Sequence, residues 1–188
     1  YEYGFFWYLY LDGTIQMEVK LTGIIGVSAI EDGMERPEFA PLVAPNVTSP
    51  IHQHLFCFRL DFDLDGVNNS VYEVEAEPLP MGAENPQGTA FRAKTTLLES
   101  ETQAQRDCYP QRSRYWKVVN NERTNALGKP VAWKLLPAAS PTLLADRASA
   151  VGQRAGFAQH NLWVTQFDEG AFNAAGDYPN LLNEGGEG

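Results

Sequence analysis

One stretch constrains this chain more than any other: Ile51 to Leu64, reading Ile-His-Gln-His-Leu-Phe-Cys-Phe-Arg-Leu-Asp-Phe-Asp-Leu. Read as a β-strand, it places His52, His54, Phe56, Phe58, Leu60, Phe62 and Leu64 on one face and Gln53, Arg59, Asp61 and Asp63 on the other. The first face is apolar except for the two imidazoles that open it, and a buried imidazole needs a partner for each ring nitrogen. A metal ion is one such partner. Residues two apart on a strand lie roughly 6.5 to 7 Å apart at Cα, and side chains of that reach can converge on one ion about 2 Å from each nitrogen. A hydrogen-bonded core pair would satisfy the same pattern.

The rest of the chain offers that stretch a β framework. With 188 residues, 44% of them hydrophobic and 12% aromatic, it is long enough for one domain with a core and rich in strand-forming side chains. A net charge of −10 argues against a nucleic-acid partner, which needs clustered Lys and Arg, and no apolar run is long enough to span a membrane. The chain starts without Met in what reads as a buried strand, so it is expected to be a fragment or processed piece of a larger protein. Its two cysteines, Cys57 and Cys108, are expected to be free thiols. Asn46-Val-Thr and Asn68-Asn-Ser match the glycosylation sequon, which matters only for a secreted protein.

In order, Tyr1 to Leu11 is apolar on both faces, as a strand covered on both sides would be. Asp12-Gly13 suggests a type I′ turn into a return strand in which Ile15, Met17, Val19 and Leu21 alternate with polar residues. Residues 23 to 50 form a Pro- and Gly-rich excursion that delivers the chain to His52. Further strands are predicted over 71–76, 90–98, 114–120, 131–136 and 162–167, with short helices over 99–107 and 145–157. The whole reads as a mainly β fold, a large antiparallel β-sandwich occupying residues 1–188.

Asp61-x-Asp63-x-Asp65-Gly66 opens like an EF-hand loop, but Tyr72 stands where that loop needs a bidentate Glu, and a strand pattern follows in place of a helix. A different hard-cation site remains open, because Asp61 and Asp63 share a strand face. A solvated acidic edge is the plain alternative.

Several motifs in order, Tyr1-Glu-Tyr-Gly, Trp7-Tyr-Leu-Tyr-Leu-Asp-Gly-Thr-Ile, His52-Gln-His, Arg59-Leu-Asp, Asn125-Ala-Leu-Gly-Lys-Pro-Val, Pro141-Thr-Leu-Leu-Ala-Asp and Leu162-Trp-Val-Thr, resemble the catalytic domain of copper amine oxidases, the topaquinone enzymes, particularly bacterial ones. The resemblance implies that Tyr1 is the precursor of topaquinone, which makes it both the catalytic and the cofactor residue. It carries His52 and His54 over as ligands of copper(II), and Asp61, the Phe62 carbonyl and Asp63 as part of a peripheral calcium or manganese site. The implied reaction is oxidative deamination of a primary amine by O2 to aldehyde, ammonia and hydrogen peroxide, in a homodimer. The family's third copper histidine and its catalytic Asp match nothing in this chain, and His160 precedes Asn161-Leu-Trp-Val-Thr at a position the family does not use for copper. His160 is therefore read as a surface or core residue, and the chain by itself is not expected to turn over amine. The amine and the compartment stay open, since family members occur in the cytoplasm, in the periplasm and outside the cell. Two readings compete: a cupin-like metal enzyme, disfavoured because Phe58 and Arg59 stand where its motif expects Glu, and a non-catalytic β-sandwich binding module stabilised by calcium.

Overall fold

The computed structural model describes residues 1–35, 37–171 and 173–175. It is mainly β with antiparallel pairing throughout, and it divides into two compact units between His54 and Leu55.

In the first unit, β1 (Glu2–Leu9) and β2 (Ile15–Thr22) form a hairpin in which Phe5 faces Val19 and Trp7 faces Met17. Aromatic and β-branched side chains suit such a pleated surface, and cross-strand pairs are its unit of stabilisation. The connection is a three-residue loop, not the type I′ turn expected from Asp12-Gly13. Tyr10 and Thr14 pair through Tyr10 N–H to the Thr14 carbonyl at 3.0 Å, and only Gly13 takes a positive φ, of 85°. A type I′ turn needs positive φ at both central residues, so this is the bulged alternative. The expectation that β1 is covered on both faces also differs from the structure: Phe5 is 52% and Trp7 58% exposed, because the ribbon has no covering layer within its unit.

The excursion that follows hides a small sheet that its weak periodicity did not suggest. Its strands are β3 (Ser28–Ala29), β4 (Leu42–Ala44) and β5 (Val47–Thr48), with β5 in the centre. Pro45 and Asn46 turn β4 into β5, and Asn46 has φ 58°, as the third residue of a type II turn requires.

The second unit is built on a four-stranded sheet ordered β10-β9-β6-β7, from β6 (Ser70–Pro78), β7 (Phe91–Leu97), β9 (Tyr115–Thr124) and β10 (Pro130–Leu135). Val74, Trp116, Val118 and Val119 form its buried core. A second ribbon pairs β8 (Gln105–Arg106) with β11 (Leu162–Trp163). The helix expected over 99–107 is instead a turn that ends in β8, with Arg106 donating to Glu73 at 2.6 and 2.7 Å. The helix expected over 145–157 is reduced to α1 (Ala150–Arg154), capped by Ser149 Oγ accepting from Gly152 N–H at 2.9 Å, and a 3₁₀ turn at Gly156–Gln159. The strand expected over 162–167 is confined to β11.

Ile51–Leu64 joins no sheet among the described residues. Alternation states which side of a segment is apolar but not whether a neighbouring strand supplies a ladder. Phe58 and Leu60 on the apolar side remain 38% and 46% exposed.

Among the described residues, Glu73 is the one acidic side chain sealed into the β6 and β9 core, at 5% exposure. It accepts from Arg106 and from Trp116 Nε1 at 3.1 Å, and Arg114 Nε lies 3.4 Å away. Burial alone would raise its pKa, but the Arg106 hydrogen bonds, the charges of Arg114 and Arg106 and the Trp116 N–H outweigh this and hold the carboxyl below the ordinary range. A carboxylate whose pKa is lower folded than unfolded contributes stability above the unfolded value, about 4.3, and loses it as pH falls through the folded one. Glu73→Ala, which removes the acceptor of the Arg106 guanidinium and of Trp116 Nε1, should cost about 3 kcal/mol in urea denaturation at pH 7. In Glu73→Gln the loss of stability on acidification below about pH 4 should be shallower than in the parent chain.

Candidate metal centre

The path to the histidines is tied down one residue at a time. Thr48 and Ser49 are buried, and Ser49 Oγ donates to the Gly26 carbonyl at 2.9 Å while its N–H donates to the Pro41 carbonyl at 3.1 Å. Ile51 N–H then donates to the Phe39 carbonyl at 2.8 Å. These bonds deliver the next residue, His52, with its backbone already placed.

His52 Nδ1 lies 2.8 Å from the Pro50 carbonyl. A carbonyl only accepts, so Nδ1 carries the proton and the Nε2 lone pair of the neutral ring is bare. That lone pair points at His54, Nε2 to Nε2 at 2.9 Å, with the two rings 4.7 Å apart and edge-on. Two nitrogen lone pairs repel at this distance, so a proton or a cation has to lie between them. Tyr1 Oη stands 2.9 Å from the same His52 nitrogen and accepts from Gly26 N–H at 3.3 Å. Tyr3 Oη reaches the other nitrogen of His54, Nδ1, at 2.9 Å. Tyr1 and Tyr3 lie two residues apart, so their rings project together, parallel within 9° and 6.4 Å apart, and face a pair of histidines with the same spacing.

The donor set fits copper(II). Imidazole nitrogen suits that ion, which favours tetragonal geometry, and two nitrogens each about 2 Å from an ion and at right angles to each other are about 2.9 Å apart. The observed Nε2 separation of 2.9 Å matches. Among the described residues no third His, Cys, Asp or Glu joins the pair; the additional donor beside it is the Tyr1 phenol oxygen.

The whole chain, residues 1–188, matches the family model described as copper amine oxidase, enzyme domain. The chain belongs to the copper amine oxidase family. It is 46% identical to histamine oxidase of Arthrobacter globiformis and 44% identical to primary amine oxidase of Arthrobacter sp. strain P1, each over 96% of this chain. Those stretches are 26% and 27% of the relatives, so the chain spans about a quarter of their length. The crystal structure of a copper-containing benzylamine oxidase from Hansenula polymorpha superposes with a TM-score of 0.86 at 29% identity, over 95% of this chain and 28% of that one. Membership of the copper amine oxidase family removes the cupin reading.

In the second unit, Asp63 Oδ1 accepts from Gly66 N–H at 3.0 Å, which tightens a turn leading into strand β6. Asn69 Nδ2 donates to the Gly66 carbonyl at 2.7 Å and approaches the Phe62 carbonyl at 3.4 Å, while Asn69 Oδ1 is buried without a hydrogen-bond partner. Asn120 Nδ2 holds the Leu64 and Asp65 carbonyls at 2.9 and 3.0 Å. Asp61 and Asp63 gather no third carboxylate among the described residues. His160 is engaged elsewhere in this unit, with Nδ1 3.1 Å from Asp107 Oδ2 and its ring edge-on to Trp163. Both cysteines are free thiols, and burial pushes each of them up in pKa.

Sequence reasoning did not single out Tyr3, the Pro50 carbonyl or Gly26. For Tyr3 the signal was present, since Tyr1-x-Tyr3 repeats the spacing of His52-x-His54. The other two contribute backbone atoms, which residue type does not advertise.

Gly23 allows the close approach at this site. Its φ is +85°, and a Cβ there would lie 2.9 Å from Glu2 N and 3.2 Å from the Tyr1 carbonyl carbon. Gly23→Ala should therefore cost about 1 to 3 kcal/mol in denaturation of the full-length chain. It should also weaken copper uptake, measured by titration, because the backbone that carries Tyr1 has to shift.

Proposed function

We propose that this chain is the copper- and cofactor-bearing part of a primary amine oxidase, which converts a primary amine, O2 and water to an aldehyde, ammonia and hydrogen peroxide. What carries the reading is one cluster, Tyr1 Oη and His54 Nε2 each 2.9 Å from His52 Nε2, in a member of the copper amine oxidase family. His52 and His54 are the residues that would hold copper(II), through Nε2. With O2, bound copper would supply the oxidation of the Tyr1 ring to topaquinone, an electrophile for the substrate amine.

The chain's own residues do the positioning. The Pro50 carbonyl holds the proton on His52 Nδ1, which keeps Nε2 available as a ligand. Gly26 N–H donates to the Tyr1 oxygen at 3.3 Å, which helps fix where that oxygen lies beside His52. The Tyr1 ring lies edge-on to both imidazoles, at 5.6 and 5.0 Å, so the residue to be modified is already beside both ligands. The general base that removes the substrate proton is assigned to another part of the full-length protein, as is a third copper ligand. A homodimer is the assembly the family reading implies. Histamine, methylamine and other primary amines appear in the names of relatives, and primary amines as a class are the proposed substrates.

Asp61, the Phe62 carbonyl and Asp63 are proposed as oxygen donors to a peripheral calcium or manganese ion. Carboxylate and carbonyl oxygens are the ligands such ions prefer.

The test uses the full-length protein expressed without copper and then exposed to copper and air. A redox-cycling quinone stain and the mass of the Tyr1 peptide should report conversion of Tyr1 in the parent chain and none in His52→Ala. If Tyr1 stays an unmodified tyrosine in the copper-loaded, aerated parent, the oxidase reading fails. For the peripheral site, calcium at about a hundred times its dissociation constant should stabilise the protein by about 2.7 kcal/mol. Asp61→Asn should abolish that gain in thermal denaturation without altering copper binding.

A further inference from the structure

We propose that Tyr3 is a positioning residue for His54, partnering its Nδ1 in either tautomer so that Nε2 stays turned toward the metal position. The inference rests on the copper reading of the His52 and His54 pair and goes one step beyond it.

The network leaves two proton arrangements. His52 is fixed, because its Nδ1 proton is held by the Pro50 carbonyl. In the metal-free chain the short Nε2 to Nε2 contact therefore requires the proton on His54 Nε2, which donates to His52. His54 Nδ1 is then an acceptor, and Tyr3 Oη donates to it across 2.9 Å. When a cation takes both Nε2 lone pairs, the His54 proton has to reside on Nδ1. The nearest acceptor for it is the same Tyr3 oxygen, at the same distance. A hydroxyl can serve in both arrangements, because its hydrogen rotates and its oxygen has lone pairs to spare. A carbonyl, such as the one that holds His52, could serve only in the second.

The two ligands are thus held by different means. His52 is committed to the metal-binding tautomer before any metal arrives, whereas His54 adopts it on binding, with Tyr3 completing the hydrogen bond in either state. Partners that hold the second nitrogen of a ligating imidazole typically contribute 10- to 100-fold in metal affinity. Tyr3 lies on β1, two residues from Tyr1, so the strand that carries the proposed cofactor residue also sets the orientation of a metal ligand.

The test is copper titration and copper(II) electron paramagnetic resonance of the full-length protein carrying Tyr3→Phe, which removes only the hydroxyl from a side chain that is 41% exposed. Affinity for copper should fall about 10- to 100-fold, and the resonance should change its hyperfine splitting, while the melting temperature of the copper-free protein stays close to that of the parent. Tyr8→Phe is the control: it removes another exposed hydroxyl of β1, one that donates to Glu18 at 2.8 Å, and should leave copper binding unchanged. The proposal is overturned if Tyr3→Phe binds copper like the parent with an unaltered spectrum, or if Tyr8→Phe weakens binding equally. His52→Ala, measured alongside, separates the two levels. If it too leaves copper affinity intact, the copper reading itself fails; if it abolishes binding while Tyr3→Phe does not alter it, only the role of Tyr3 is lost.

Discussion

The arrangement at the histidine pair depends on the hydrogen bond from His52 Nδ1 to the Pro50 carbonyl. It links two neighbours in sequence, so the polypeptide can form it wherever the local backbone allows, yet it decides which nitrogen of the ring is left with a lone pair. Once that choice is made, the 2.9 Å approach of the two Nε2 atoms is tolerable only with a proton or a positive ion between them. The two Nε2 atoms are consequently brought together before any metal is present. The buried Thr48 and Ser49 and the Ile51 N–H keep that geometry from relaxing.

The β1 and β2 hairpin supplies the other half of the constellation by the same period of two. Tyr1 and Tyr3 share one side of their segment as His52 and His54 share one side of theirs, and each tyrosine oxygen meets a different imidazole at 2.9 Å. Two glycines make this possible. Gly23 accepts a positive φ against the backbone of Glu2, and Gly26 brings an N–H to the Tyr1 oxygen. The second unit is stabilised differently, by a carboxylate sealed under Trp116 and held by two arginines, an arrangement that fixes β6 against β9 and draws β8 toward them.

Much of this was legible in the residues. Alternation over 15–22, 71–76 and 114–120 gives strands, and His-x-His gives a convergent nitrogen pair, because period and reach are properties of the side chains themselves. Asp12-Gly13 is compatible with two loop lengths, and the register, not the dipeptide, chooses the longer. The helix expected over 99–107 yielded to Arg106, whose long-range pairing with Glu73 no local window contains. Ile51 to Leu64 carried a strand's pattern without a strand's ladder, since a hydrogen-bonding neighbour is not encoded in the segment that needs it. The role proposed for Tyr1 is of another kind. By period it is an ordinary strand residue, and only the family motif around it, with a pair of histidines to meet, gives it chemistry.

The account turns on His52 and His54 sharing one ion through Nε2. X-ray absorption fine structure of the copper-loaded full-length protein measures that directly. The account predicts nitrogen scatterers about 2 Å from copper together with the outer-shell pattern of imidazole rings, reduced by one ring in His52→Ala and by one in His54→Ala. A copper spectrum without imidazole scattering, or one that neither substitution alters, would contradict it.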